Sequence, residues 1–355
     1  MQREQRKLDH IKYALELGDG TSVTHFADLR FVHNCLPELN PADIDISVRL
    51  LGKRLRLPFF IDAITGSTDA VTEINRRLAQ VAAVTGVGMA VGSQYGAVVA
   101  GSGVVSYEAV RRENPYGLLM GNMSAFVTPA QAESAVAMLD ADALELHLNA
   151  AQELQMPEGD KEYAGLLCNI RAIFKQLSVP LIVKETGCGI AREQYEQLEA
   201  AGIMAFDCAG AGGTNFPAIE ARRSGVRLSD AFASWGLPTC WSLLDGQAVV
   251  PRKHLLLASG GVRSADDVAK AFALGADAVG ITAPLLRLVV EEDVGAAIAY
   301  LEKLGAELKH YLLLLGCSSV YGLRGVPLLF FGETRDYLAS RGYDAAELSR
   351  ARRTR

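Results

Sequence analysis

The chain has no surplus of positive charge. Lysine and arginine number 35 against 41 aspartates and glutamates, a formal net charge of −6. A general nucleic-acid binder shows the opposite balance, so that class of partner is not expected. A local basic pocket for an anionic small molecule stays open. No C-x-x-C pair occurs either: Cys35, Cys168, Cys188, Cys208, Cys240 and Cys317 are scattered. That disfavours a zinc ribbon or a thioredoxin-type site and reads as reduced cytosolic thiols. Behind the charged start Met1–His10 there is no apolar h-region, so a cytoplasmic location is expected. No low-complexity tract, P-loop, nucleophile elbow or H-E-x-x-H is present. One segment has no charge at all, from Leu78 to Tyr107, and is long enough to span a bilayer. Gly86, Gly88, Gly92, Gly96, Gly101 and Gly103 break it into helix end, strand and loop. It reads as protein interior, with no membrane contact.

What is present is alternation. Half of the residues are hydrophobic, and they gather in eight short apolar runs. These are Leu57–Ile64, Gly86–Val91, Gly117–Gly121, Ala143–Leu148, Val179–Val183, Ile203–Cys208, His254–Ala258 and Ala276–Ile281. Segments of helical periodicity separate them. Thr68–Ala83 places Val71, Ile74, Leu78 and Val81 near one face. Thr128-Pro129 reads as N-cap and first helical residue. Arg192–Ala201 ends before Gly202, and a helix opening at Ser264 ends near Gly275. Strands apolar throughout are buried on both faces, as in a parallel sheet covered by helices. Eight such repeats predict an α/β fold, a (β/α)8 TIM barrel. Residues 1–55, with an early helix Asp9–Leu17, are expected to be an N-terminal extension packed on a barrel of residues 56–355. The long connection from Phe216 to Arg252 is expected near the mouth.

In such a barrel chemistry sits at the C-terminal ends of the strands. Polar residues fall there in every unit: Thr65, Ser93-Gln94, Asn122, His147 with Asn149, Lys184-Glu185, Thr214-Asn215, Gly260-Gly261 with Arg263, and Thr282. Strand ends are polar in any case, because they meet loops. A lysine and a histidine ending apolar strands are harder to place without a role, since burying them unpartnered is costly. Gly260-Gly261, before a helix start, suits a phosphate at the usual site of this fold, although a glycine turn with a surface arginine reads equally well in isolation. Lys184 suits either a Schiff base or a fixed cation beside a cofactor ring, with an ion pair to Glu145 or Glu185 as the structural alternative. Glu153, beside Asn149 and Gln152, suits Mg²⁺ completed by water and substrate phosphate; from spacing alone it reads as a solvated loop residue. Glu158 and Asp160 read as surface residues. Arg6, Lys7 and His10 read as a solvated N-terminal face.

Seven stretches then match in order along most of the chain. They are Arg6-Lys7-x-x-His10; Ala90-Val91-Gly92-Ser93-Gln94; His147-Leu148-Asn149; Gln152-Glu153 with Met156-Pro157-Glu158-Gly159-Asp160; Val183-Lys184-Glu185; Gly212-Gly213-Thr214-Asn215-Phe216 with Ile219-Glu220; and Ala258-Ser259-Gly260-Gly261. Together they resemble the type 2 isopentenyl-diphosphate isomerases. The resemblance implies an FMN-dependent isomerase of isoprenoid biosynthesis that interconverts isopentenyl and dimethylallyl diphosphate, with N5 of the reduced flavin as the acid and base. By position, Ala63, Ile64, Thr65, Ser93, Asn122, Lys184, Thr214, Gly260, Gly261, Thr282 and Ala283 would bind FMN. Arg6, Lys7, His10, Gln94, His147, Asn149 and Gln152 would line the substrate site. Glu153 would hold Mg²⁺, and Gln152, His147 and Lys184 would act on the reaction. The resemblance further implies NADPH as reductant of the flavin and a homo-oligomer, tetramer or octamer. Where the family often has Thr-Gly-Gly this chain has Thr65-Gly66-Ser67. The rival is an FMN-dependent 2-hydroxy-acid oxidoreductase on the same barrel. It would want a histidine base and an arginine late in the barrel, where the only histidine between Thr214 and Gly261 is His254.

Overall fold

Each of the eight apolar runs becomes a strand of one closed parallel barrel in the computed structural model. The structure describes residues 2–64, 66 and 68–351, with Arg6 and the extreme ends described in backbone only. The strands are β1 (Phe59–Ile61), β2 (Gly88–Ala90), β3 (Leu119–Ser124), β4 (Ala143–Leu148), β5 (Leu181–Glu185), β6 (Ala205–Asp207), β7 (Leu255–Ala258) and β8 (Ala278–Ile281). They pair in chain order, and β8 closes on β1 through Val279↔Phe59 and Ile281↔Ile61. Nearly every barrel-strand residue is buried, because helices cover the outside and side chains fill the inside.

The helix signals act as their chemistry requires. Thr128 caps the helix Pro129–Leu139 in a capping box with Gln131. Ser264 does the same with Asp267 for Ala265–Ala273. Gly202 and Gly275 take positive φ after their helices, where a Cβ would be strained. The uncharged segment resolves into a helix end, β2 and two helices, Tyr95–Ala100 and Val104–Glu113. No helix among the described residues is long and apolar enough to cross a membrane.

Several boundaries differ from the sequence expectation. β3 runs on to Ser124 and β5 to Glu185, so Asn122, Lys184 and Glu185 lie within strands, where the ladder continues past the apolar residues. The early helix begins at Gln2 and not at Asp9. Residues 2–8 are mostly good helix formers, and the helix is seated further on. There Ile11 and Ala14 pack with Ile64, Val71, Ile219 and Leu286 in a small cluster beside the main core. The long connection holds the helices Phe216–Ser224, Asp230–Ala233 and Thr239–Val249.

The docking of the first helix sets where Lys7 and His10 sit. Ile11→Asp is expected to undo it, since burying an isoleucine contributes about 1.5–3 kcal/mol. Limited proteolysis should then cut between residues 18 and 24, while the barrel's own melting transition stays in place.

Candidate active site

One cavity of about 370 Å³ opens at the C-terminal ends of the strands. Two unlike walls bound it.

The first wall is backbone. The turns after β6 and β7 pack so closely that a Cβ on Gly213 would lie 2.5 Å from the Gly261 nitrogen. Gly260 and Gly261 have φ of 96° and 74°, and Cβ atoms there would strike the Gly210 and Gly212 carbonyls. Among the described residues the amides of Gly260 and Gly261 have no hydrogen-bond acceptor. The helix Ala283–Glu291 begins beside them, with Thr282 and Ala283 on the cavity. Free amides and a helix start meeting at one point form a cradle for a phosphate. Ala63, Ile64, Ser93 and Thr214 also line this cavity. Thr65 and Ser67 lie outside the described residues. Arg263 lines it too, but its guanidinium is paired with Asp19, so its charge is already partly met.

The second wall is ionisable. Lys184 is 3 % exposed. Its Nζ lies 3.5 Å from Asp62 and 3.8 Å from Asp207, and donates to the Glu185 carbonyl at 3.0 Å. The expected structural partners were Glu145 or Glu185; the closest carboxylates come instead from β6 and the end of β1. Burial works against the ammonium, and Asp62, Asp207 and Glu145 more than offset it, so Lys184 stays charged. Asp62 and Asp207 escaped the sequence reading, although a charged residue inside each of two apolar runs was a visible signal.

Asn122 joins the lysine cluster to His147. Its Nδ2 donates to Glu145 Oε2 at 2.8 Å, and its Oδ1 lies 2.7 Å from His147 Nδ1. A carboxylate oxygen accepts, so the amide must turn its oxygen to the imidazole. His147 is then the Nδ1–H tautomer, with a lone pair on Nε2. Burial, followed by the charges of Lys184 and Lys7, lowers its pKa to about 3.

Beyond His147, Gln152 and Glu153 project from the short helix Ala150–Gln155. Glu153 Oε1 accepts from Asn149 Nδ2 at 2.8 Å, and Oε2 from the Asp160 amide at 2.9 Å. The Met156–Asp160 turn folds back onto this carboxylate: a Cβ on Gly159 would lie 2.8 Å from Oε2. That close wrap is the physical content of the Met-Pro-Glu-Gly-Asp run. Asn149 Oδ1 is buried with no partner. Glu158 and Asp160, read as plain surface, are exposed but stand on the cavity rim.

Glu220, quoted in a motif but given no role, is the largest omission. It is fully buried, and Oε1 accepts from His10 Nε2 at 2.7 Å and Gln152 Nε2 at 3.0 Å. Oε2 accepts from Arg223 Nε at 2.7 Å. Burial pushes its pKa up, but these donors prevail and hold it near 2. Lys7 and His10 thus reach the cavity, and the solvated-face reading of that cluster is corrected for both; the Arg6 side chain lies outside the described residues. Gln94 is also corrected. It is fully buried off the cavity, donating to the Ala135 carbonyl at 2.8 Å and accepting from the Asn122 amide at 3.0 Å. Both ends of its amide are occupied by backbone, so it supports β3 and does not face a substrate.

These features define a (β/α)8 barrel with a glycine-lined, ionisable cavity at the C-terminal ends of its strands. The FMN-dependent dehydrogenase family model matches residues 167–326. Mandelate oxidase bound to benzoylformic acid superposes with a TM-score of 0.66 at 17 % identity, covering 92 % of this chain and 94 % of that one, which shows the shared fold. Isopentenyl-diphosphate delta-isomerase of Moorella thermoacetica is 44 % identical over 340 residues, 96 % of this chain and 97 % of that protein. The enzyme of that name from Geobacillus sp. is 41 % identical over 345 residues, 97 % and 98 %. The chain belongs to the isopentenyl-diphosphate delta-isomerase family.

The lowered His147 pKa has a consequence for stability. In the unfolded chain the ring takes a proton below about 6.5, whereas in the fold it resists until about 3. The unfolded state therefore binds more protons in that window, and stability falls as pH drops through it. His147→Gln is expected to flatten the acid side of the stability profile, measured by urea unfolding across pH.

Proposed function

We propose that this chain interconverts isopentenyl diphosphate and dimethylallyl diphosphate, with FMN and Mg²⁺ bound. The observation that carries the reading is the pairing of walls in one cavity: a glycine cradle with free amides on one side, and Lys7, His10, His147, Asn149 and Glu153 on the other. Each suits one of two phosphate-bearing molecules.

The residues fit FMN. Gly260, Gly261 and the start of the helix at Ala283 would hold its phosphate. Ala63, Ile64, Thr65, Ser93, Asn122, Thr214 and Thr282 would surround the rest, and Lys184 would set a permanent positive charge near the ring. When bound and reduced, FMN supplies the proton donor and acceptor for the allylic shift and an electron-rich face for the developing positive charge. Lys184 stays protonated throughout, because its carboxylate neighbours outweigh its desolvation. The donor set also fits Mg²⁺: Glu153 is a carboxylate on the cavity with oxygen neighbours and no soft ligand, as a hard cation prefers.

The chain's own side chains position the substrate. Arg6, Lys7 and His10 would meet the diphosphate from the first helix. His147 would bind it also; a diphosphate oxygen beside Nε2 favours protonation, so the ring gains its charge when substrate arrives. Gln152, held by ionised Glu220, would orient the alkene end. NADPH would prime the enzyme by keeping the flavin reduced, without stoichiometric consumption. The same reading makes the protein a cytoplasmic homo-oligomer, tetramer or octamer, of isoprenoid biosynthesis.

The oxidoreductase alternative needs a histidine base late in the barrel, where His254 is the only histidine between Thr214 and Gly261. His254 immediately precedes β7, at the N-terminal end of the strand, and does not line the cavity.

The purified protein is expected to be yellow and, under anaerobic conditions, to isomerise isopentenyl diphosphate only with reduced FMN and Mg²⁺. Full turnover without flavin would overturn the reading. Glu153→Gln should lower Mg²⁺-dependent activity by roughly tenfold or more while the flavin absorbance stays; loss of flavin instead would contradict the role given to Glu153.

A further inference from the structure

The carboxylates around Lys184 exceed what that lysine requires. Asp62, Glu145 and Asp207 each place an oxygen within 4.8 Å of the others, and all three are buried. They arrive from β4, β6 and the end of β1, and among the described residues the cation they enclose is Lys184. Fully ionised, the group would carry two uncompensated negative charges in the barrel interior, which is strongly unfavourable. Two of its oxygens, Glu145 Oε1 and Asp207 Oδ2, are buried and have no hydrogen-bond partner. The other oxygens of the same two residues are used. Glu145 Oε2 accepts from Asn122, and Asp207 Oδ1 accepts from Ser259 Oγ at 2.8 Å and the Ala209 amide at 3.2 Å.

We propose that this cluster keeps one proton at neutral pH, held by the Glu145–Asp207 pair on the two oxygens that carry no hydrogen bond, and that the protonated pair is a positioning device for His147. Two carboxylates packed together hold a proton between them because both cannot ionise cheaply. The groups facing the pair are Asp62 from the end of β1, Asn122 from β3, His147 from β4, Lys184 from β5 and Ser259 after β7, with the neutral Tyr195 and Cys208 on the Asp207 side. Of these Lys184 opposes the proton most, and the hydrogen bonds from Asn122 to Glu145 and from Ser259 to Asp207 oppose it less. Burial, with Asp62 next, raises both members of the pair, Glu145 well above the usual carboxylate range and Asp207 to about 6.

The side on which the proton sits matters. On Glu145 Oε1 it leaves Oε2 free to accept from Asn122. The Asn122 amide then keeps its oxygen toward His147 Nδ1, and Nε2 stays available in the cavity. A second consequence falls on Lys184: the proton removes one of the two surplus negative charges beneath it. This role in turnover rests on the isomerase reading; the proton itself does not.

Glu145→Gln imitates the protonated acid, since its carbonyl can accept from Asn122 and its amide carries a donor in place of the protonated oxygen. Infrared spectra of the apoprotein at neutral pH should show a deuterium-sensitive protonated-carboxyl band that both Glu145→Gln and Asp207→Asn lose. Nitrogen NMR should find His147 as the Nδ1–H tautomer in the wild type and in Glu145→Gln. In the holoenzyme, Glu145→Gln should keep kcat within about twofold, because its carbonyl accepts from Asn122 as Oε2 does. Glu145→Ala should lose roughly tenfold or more in kcat. A wild type lacking the band, a band unchanged in Glu145→Gln, or a Gln variant as impaired as the Ala variant would each overturn the proposal. If the isomerase reading alone is wrong, turnover is absent while the infrared and tautomer results still hold.

Discussion

Burying one ammonium group organises most of this site. Lys184 lies inside a barrel whose strands are otherwise apolar, and an unpaired charge there would cost several kcal/mol. The fold answers with Asp62, Glu145 and Asp207 from three different strand units. Those carboxylates then dictate their own surroundings. Glu145 orients Asn122, Asn122 selects the tautomer of His147, and Asp207 takes the hydroxyl of Ser259, one residue before the glycine pair. A single buried charge thereby connects the imidazole wall to the backbone wall.

In the proposed function the two walls meet anions by different physics. The glycine turns do so with uncharged amides, brought together because no side chain separates their backbones. The opposite wall does so with a few placed cations and a carboxylate suited to a divalent metal. Such a division would let a chain of net charge −6 accept the two phosphate-bearing molecules proposed for it, because only local potential matters at short range. Glu220 extends the scheme to the N-terminal helix, as its carboxylate holds His10 and Gln152 together.

The barrel was legible because its signal is regular. Eight apolar runs with helical segments between them admit few other arrangements, and the strand ends missed their marks by only a few residues. Lys184 and Gly260-Gly261 were also legible, each being costly or useless at its position without a partner. Gln94 misled because a polar residue after a strand looks the same whether it faces a cavity or braces the neighbouring strand; backbone atoms 28 and 41 residues away decide that. Glu220 had no local mark at all. It lies on a helix among other charged residues, and its burial depends on a helix more than 200 residues earlier in the chain.

Periodicity, capping residues and glycine positions are local properties, so the sequence by itself determined the class of fold, the face that carries the chemistry, and the residue types available there. Pairing is not local. Which carboxylates meet Lys184, which way the Asn122 amide turns, and whether the first helix shields the cavity all depend on strands and helices converging from distant parts of the chain. Only closure of the barrel brings those groups within a few ångströms, where burial and short-range electrostatics set their protonation and their roles.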